Sequence, residues 1–351
     1  MRKALALAER GRGHTSPNPM VGALVVTDDG VIVGRGAHQA AGGPHAEVFA
    51  LQDAGARARG ATLYCTLEPC SHTGRTGPCA PLVAAAGIRR AVIALEDPNP
   101  LVSGAGLRLL RDRGVDVVVG VERVAAARQN AVFLTTMRLG RPHVTLKAAL
   151  SLDGFLGKAG ERVHLTGPVA NRRVHRQRAE VDAIAVGSGT IIADDPLLTA
   201  RCAYRNRALS RVVFDRRLRT PTTARLLSTL DAGPVIIVTS AAVVQAQPER
   251  LRELESAGVR VISPEGGFVG ALRALWDLGI SSLLLEGGAA LHRSAIESGV
   301  VDALDLYIAP RRLGPDAVQW VGKGQLAWES LRNRRAIWLG EDLLVEGTVS
   351  R

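Results

Sequence analysis

A break at Gly140-Arg141-Pro142 divides the chain into two stretches, each alternating short β-branched runs with segments of helical composition. Proline disfavours helix at the residue before it, so the break reads as a boundary between domains at 1–140 and 141–351. The alternation restricts each half to an α/β layer architecture. In the first half, strands are expected at Ala23–Thr27 and Val31–Gly34, joined by the turn signal Asp28-Asp29-Gly30, and at Thr62–Thr66, Ala91–Leu95 and Val115–Val119. Its helices are expected at Glu47–Ala58, Ala80–Ala86, Gly104–Arg113 and Val124–Leu139. The second half offers strands at Val144–Ala149, Ala183–Val186, Arg211–Phe214, Val235–Thr239, Arg260–Ile262, Ser282–Glu286 and Leu304–Ala309. Helices there are expected at Val169–Arg178, Pro248–Ala257, Gly270–Gly279 and Ala290–Ser298. Its 351 residues, 46% apolar, suffice for two globular cores.

The N-terminal apolar run Ala4–Ala8 meets Glu9 and Arg10 too soon for a secretory signal. No continuous apolar run reaches the roughly 18 residues of a transmembrane helix. A cytoplasmic protein with no membrane partner is therefore expected. The net charge of +11 invites a nucleic-acid reading. The excess is spread evenly, however, at +5 for residues 1–140 and +6 for the remainder, and aromatic residues make up only 3%. Small anionic substrates suit such a surface better than nucleic acid, which is not expected as a partner.

His45-Ala46-Glu47 opens an expected helix, and downstream lie Pro69-Cys70 and Pro78-Cys79. One imidazole and two thiolates make a three-ligand zinc site with its fourth position open, the catalytic arrangement. Glu47, two residues beyond the ligand histidine, is placed to move a proton without ligating. H-x-E followed by P-C-x-x-C is the signature of zinc nucleobase deaminases. Here eight residues separate Cys70 from Cys79 instead of two. The bland alternative makes His-Ala-Glu a chance match and the cysteines core residues. His72 competes as a ligand, although a loop or substrate-facing role is preferred because His45 already completes the set. Cys65 reads as strand packing, His14 as a solvated loop residue, and His38 as either solvated or pocket-lining.

Thr15-Ser16-Pro17-Asn18-Pro19-Met20-Val21-Gly22, Pro44-His45-Ala46-Glu47, Thr66-Leu67-Glu68-Pro69-Cys70-Ser71-His72 and Asp97-Pro98-Asn99-Pro100 together resemble the deaminase half of the bifunctional riboflavin biosynthesis deaminase/reductases. In that family the long loop between the cysteines is normal. The resemblance implies a cytidine-deaminase-like αβα domain with Zn2+ on His45, Cys70 and Cys79, Glu47 as proton shuttle, and a pyrimidine contact at Asn18. Its implied substrate is a diaminopyrimidinone ribosyl 5'-phosphate, whose 2-amino group is exchanged for oxygen. Gly77 departs from the family, which has a second proline there.

In the second half, Leu146–Gly154, Gly187-Ser188-Gly189-Thr190, Ala193–Thr199 and Glu286-Gly287-Gly288 are polar or Gly-rich strand ends. Where such ends open onto helix N-termini they suit phosphate groups, but none matches G-x-G-x-x-G, and Gly pairs usually mark plain turns. Their order resembles the reductase half of the same enzymes, which implies a dihydrofolate-reductase-like α/β domain and NADPH. Position by position, the resemblance implies cofactor contacts at Ala149, His164, Thr190, Asp194, Arg216, Gly288, Ala289, Ala290, Leu291, His292, Arg293 and Ser294. It implies substrate contacts at Arg162, Arg178, Leu198, Arg201 and Glu286. Arg178 and Arg201 suit a sugar phosphate as guanidinium forks. Lys147 and Glu286 read as catalytic groups ordering the ribose while hydride reaches its C1 carbon, or alternatively as a strand-end ion pair. The chain departs from the family at Phe155, Arg162 and His164, where Lys or Arg, Ser and Trp are usual. Alternatives to the bifunctional reading are a deaminase whose second half no longer reduces, and an RNA-editing deaminase suggested only by charge. A homo-oligomer is expected.

Overall fold

In the computed structural model the described residues are 1–72, 77–99, 103–158, 163–201, 203–205, 207–321 and 330–349. Arg162, Cys202, Pro100 and Thr73–Thr76 lie outside them. The chain packs as two compact units, Met1–Gly140 and Arg141–Arg351.

The first unit contains helices α1 (Arg2–Ala8), α2 (Ala46–Ala54), α3 (Cys79–Ala85), α4 (Ala105–Asp112), α5 (Arg123–Gln129) and α6 (Ala131–Leu139). Its strands are β1 (Gly22–Val26), β2 (Ile32–Ala37), β3 (Thr62–Cys65), β4 (Arg90–Ile93) and β5 (Asp116–Val119), in the sheet order β2-β1-β3-β4-β5. β1 runs antiparallel to β2 and β3, while β3, β4 and β5 are parallel. Ala23, Val25, Leu63, Ala91 and Ile93 bury their side chains in a core completed by Ala46, Ala50, Val83 and Leu110. The helices approach the hairpin closely because the hairpin carries glycine at the contacts. A Cβ on Gly36 would lie 1.9 Å from the Ala46 carbonyl oxygen, and one on Gly22 2.0 Å from that of Ala4.

Two expectations for this unit need correction. The run near the N-terminus, weighed only as a possible signal, is the packed helix α1, with Ala4 and Ala8 buried. The single helix expected at Val124–Leu139 is two, broken at Asn130. The Asn130 side chain accepts from Met20 N–H at 2.8 Å and donates to Met20 C=O at 2.9 Å. Asparagine competes with helical backbone for such bonds, so the break also anchors the chain just before β1.

The second unit contains strands β6 (His143–Ser151), β7 (Phe155–Lys158), β8 (Ala183–Gly187), β9 (Ser210–Phe214), β10 (Val235–Val238), β11 (Val259–Ile262), β12 (Ser282–Gly287), β13 (Ala303–Ala309), β14 (Ala317–Gln319), β15 (Leu331–Leu339) and β16 (Asp342–Val349). Helices α7 (Pro168–Glu180), α8 (Ser188–Asp194), α9 (Ala241–Ala246), α10 (Pro248–Ser256), α11 (Gly267–Asp277) and α12 (Ala289–Glu297) connect them. Nine strands form one sheet in the order β11-β10-β9-β8-β12-β6-β13-β16-β15, and β14 pairs separately with β7. From β11 to β13 all neighbours are parallel, and β16 is antiparallel to both β13 and β15. The continuous apolar run Val235–Val238 is buried throughout, as a strand covered on both faces requires.

Candidate metal centre and cofactor-binding face

Three separate segments bring His45, Cys70 and Cys79 together. His45 is the N-cap of α2, Cys79 is the first residue of α3, and Cys70 lies in the chain leaving β3. One ligand atom from each lies within 4.8 Å of the other two. His45 Nδ1 stands 3.5 Å from Cys70 Sγ and 3.3 Å from Cys79 Sγ, and Cys79 N–H points at Cys70 Sγ at 3.4 Å. The Cys79 thiol, with help from His45, holds Cys70 down at about 4, while Cys70 and burial push Cys79 up. Two converging sulfurs, one of them biased toward the thiolate by the other, and an imidazole beside them fit a zinc ion chemically. Glu47 sits in the first turn of α2, only 3% exposed. Burial pushes its carboxyl up to about 7, against its own backbone N–H and the charge of His45. A carboxyl poised there suits proton shuttling near neutral pH. His72 is exposed and outside this cluster; Cys65 is a fully buried packing residue of β3.

Two supporting groups were not assigned from sequence. Glu68, 3% exposed, accepts from the N–H groups of Asp97 (3.2 Å), Gly104 (3.0 Å), Gly106 (3.0 Å) and Leu107 (3.3 Å). It ties Pro69-Cys70 to the start of α4. Its signal was a glutamate immediately before Pro69-Cys70, just past a buried strand. His38 is not solvated but a buried strut, 2% exposed. Its Nδ1 donates to Pro44 C=O at 3.0 Å, and its Nε2 accepts from Asn18 at 3.1 Å. Its ring stands edge-on to His45 with centroids 5.6 Å apart, which sets Asn18 two side chains from the metal ligands.

In the second unit, adjacent strands β8 and β12 each lead directly into a helix, α8 and α12. Neither N-cap, Gly187 or Gly288, makes a side-chain cap; in α12 the N–H groups of Leu291 and His292 donate to Gly288 C=O, which leaves those of Ala289 and Ala290 for an anion. The two turns touch: a Cβ on Gly288 would lie 3.5 Å from Thr190 Oγ1, and one on Gly187 3.8 Å from Leu291 Cβ. Ala289, Ala290, Leu291, Arg293 and Ser294 occupy the opening turns of α12; Asp194 ends α8, and Ala149 lies half-buried on β6. Arg216 is exposed just after β9, in a turn held by buried Asp215, and Arg219 from the same turn reaches Ser188 Oγ at 3.4 Å. His164 is exposed, its carbonyl accepting from Arg311 at 3.1 Å. Phe155 begins β7.

The His292 side chain is not available to a cofactor. It is fully buried, accepting at Nδ1 from Trp320 Nε1 at 3.0 Å and facing Leu285 C=O through Nε2 at 3.3 Å. Burial holds this imidazole down at about 4, against the pull of the Leu285 carbonyl. Its stabilising contribution is thus complete above about 6.5 and lost as pH falls through about 4. Replacing His292 with glutamine is expected to remove on the order of 3 kcal/mol of acid-side stability loss, measured as the pH dependence of thermal unfolding.

The Arg178 fork is likewise committed. Its Nε and Nη2 donate to Glu286 at 2.6 and 2.7 Å, and its Nη1 to Thr199 C=O at 3.1 Å. It is therefore not an open phosphate fork. Lys147 Nζ lies 4.0 Å from the same carboxylate. Burial opposes the Glu286 charge, but Arg178 and then Lys147 outweigh it and hold the carboxyl at about 2. Leu198 is buried at φ +53°, and Arg201 is exposed with its backbone N–H on His175 Nδ1 at 3.1 Å.

Fold and site define a chain that joins a unit with the ligand set of a zinc-dependent deaminase to a separate unit built on a mostly parallel sheet. Residues 1–95 match the cytidine and deoxycytidylate deaminase zinc-binding region, and residues 142–345 match the RibD C-terminal domain. The riboflavin biosynthesis protein RibD of Aquifex aeolicus is 40% identical, with 98% of this chain and 96% of that protein covered. That of Escherichia coli is 41% identical, covering 90% and 88%. The solved structure of Acinetobacter baumannii RibD superposes with a TM-score of 0.86 at 36% identity over 100% of this chain and 98% of that one. A Thermotoga maritima structure, described as a diaminohydroxyphosphoribosylaminopyrimidine deaminase/5-amino-6-(5-phosphoribosylamino)uracil reductase, gives 0.86 at 30% identity over 99% and 97%. The chain belongs to the RibD family: it is a bifunctional deaminase/reductase of riboflavin biosynthesis. Among the described residues no helix is long and apolar enough to cross a membrane.

Proposed function

We propose that residues 1–140 deaminate a diaminopyrimidinone ribosyl 5'-phosphate and that residues 141–351 reduce its ribosyl group to a ribityl chain. The observation carrying this reading is the convergence of His45, Cys70 and Cys79 beside the buried carboxyl of Glu47. Zinc, held by those three residues, supplies an acidified water at neutral pH. Glu47 takes a proton as the water oxygen adds at the carbon bearing the 2-amino group, and returns it to the departing ammonia. Asn18, oriented by His38, contacts the pyrimidine. In the second unit NADPH would supply the hydride, and the opening turns of α8 and α12, with Thr190 and Gly288, would hold it. Lys147 and Glu286, the latter gripped by Arg178, orient the ribose for hydride arrival at C1. Arg201 is the exposed guanidinium available to the sugar phosphate, and Arg162, outside the described residues, is carried as a further substrate contact.

A cytoplasmic location belongs to the same proposal, supported by the lack of any disulfide among the described cysteines Cys65, Cys70 and Cys79, which suits a reducing compartment. So does a homo-oligomer, supported by the outer strand β15 with Trp338 72% exposed. The test follows both products from the diaminopyrimidinone phosphate with and without NADPH. Deamination alone is expected without NADPH and both steps with it; no deaminated product in either case overturns the reading. Elemental analysis is expected to find about one zinc per protomer. Cys79→Ala should lose the metal and deamination while still reducing supplied deaminated intermediate, and full deamination by that variant would exclude Cys79 as a ligand.

A further inference from the structure

One rung of the large sheet is charged from strand to strand. Leu285 of β12 pairs with Leu146 of β6, which sets Glu286 beside Lys147. Lys147 pairs with Asp305 of β13, and Asp305 with Glu346 of β16. Partners on one rung point to the same face, and here that face is covered by α7. Arg178 of α7 grips Glu286, Gln177 donates to Asp305 Oδ2 at 2.5 Å, and Arg173 reaches Glu346 at 3.3 Å. Tyr307, two residues beyond Asp305, donates to Gln177 Oε1 at 2.6 Å, and its ring centroid lies 5.7 Å from Lys147 Nζ. Glu286 and Glu346 thus each have an arginine from α7. Asp305 is hydrogen-bonded by the Gln177 amide instead, and two cations act on it through space, Arg173 of α7 and, next to it on its rung, Lys147.

We propose that Asp305 is a positioning residue of the reductase half, its carboxylate holding Lys147 as an ammonium beside Glu286. This rests on the reading of Lys147 as a ribose-ordering group. Burial lowers Lys147, and Arg178 adds to that, while Glu286 and Asp305 oppose both. Burial and the charge of Glu346 push Asp305 up to about 7, so it gains its charge close to neutral pH. Arg173 of α7 opposes that rise, and the remaining titratable groups facing this rung are Tyr307 of β13, His175 of α7 and the buried His292 of α12.

The chain has only four lysines, Lys3, Lys147, Lys158 and Lys323. Full-length protein labelled with 15N at lysine Nζ can therefore be titrated signal by signal, with Lys147 assigned by its loss in Lys147→Met. In the unaltered protein the Lys147 signal should inflect near neutral pH, as Asp305 ionises. In Asp305→Asn that inflection should vanish and the pKa of Lys147 should fall by about one pH unit. The basic limb of reductase kcat/KM should move down with it, and affinity for NADPH should not change. A Lys147 titration with no neutral inflection in the unaltered protein, or one unchanged by Asp305→Asn, overturns the proposal. Tyr307→Phe, which frees Gln177, should move Lys147 in the same direction by less, and no movement there also counts against it. Full reductase activity in Lys147→Met would instead overturn the reading of Lys147, an outcome separate from the titration.

Discussion

Glu47→Gln is expected to retain its metal and lose deamination by on the order of 10²–10⁴-fold, the usual worth of general acid–base catalysis. Glutamine matches glutamate in size, and the site is closed enough (3% exposed) that no solvent base replaces it. The amide cannot accept a proton from water and return it to ammonia. His45, Cys70 and Cys79 are untouched, so zinc content measured beside activity separates lost chemistry from lost metal. A variant turning over at the normal rate would remove Glu47 from the reaction.

Glu286→Gln is expected to be costly in a different way. The carboxylate, with its side chain 7% exposed, is the ion-pair partner of Arg178 and lies 4.0 Å from Lys147. Removing it leaves two buried cations without that charge, and breaking a buried pair costs about 3–5 kcal/mol. Because the native carboxyl is held at about 2, its contribution is present above the ordinary carboxylate range and is lost as pH falls through about 2. Chemical denaturation at neutral pH should therefore show the full deficit, narrowing as both proteins are acidified. Reduction should fail while deamination continues. A variant as stable as the parent at pH 7 would mean that Arg178 and Lys147 find other partners.

The metal centre was legible because its chemistry needs rare residue types in a fixed order. His45, Glu47, Cys70 and Cys79 could be picked out from sequence, and the structure brings the three proposed ligands together. The parallel strands were legible as apolar runs. The edge of the second sheet was not: β15 carries Arg332, Asn333, Arg334 and Arg335 on exposed positions and has a register shift between Arg332 and Arg335. An outer strand facing solvent loses the alternation that marks a half-buried one. The short pair β7 and β14 left no periodicity to read. The supports were hidden for a related reason. Glu68, His38 and Asp305 act through bonds to residues far along the chain, and only the fold reveals those partners. Arg178 illustrates the converse, since a free guanidinium and one committed to Glu286 look the same in sequence.

The tight seating of α2 on β2, with no room for a side chain at Gly36, has a consequence for how the ligand set tolerates change. His45 is located by that helix, Cys79 by the start of α3, and Cys70 by the Glu68 clasp on α4. Each donor thus has an anchor of its own in the scaffold, besides the bonds from Cys79 N–H to Cys70 Sγ and from Ala80 N–H to Cys70 C=O that join the two cysteines. Lengthening the stretch between the cysteines is therefore expected to leave zinc content unchanged, as measured by elemental analysis. Short and long cysteine spacings are in this way both compatible with one coordination geometry.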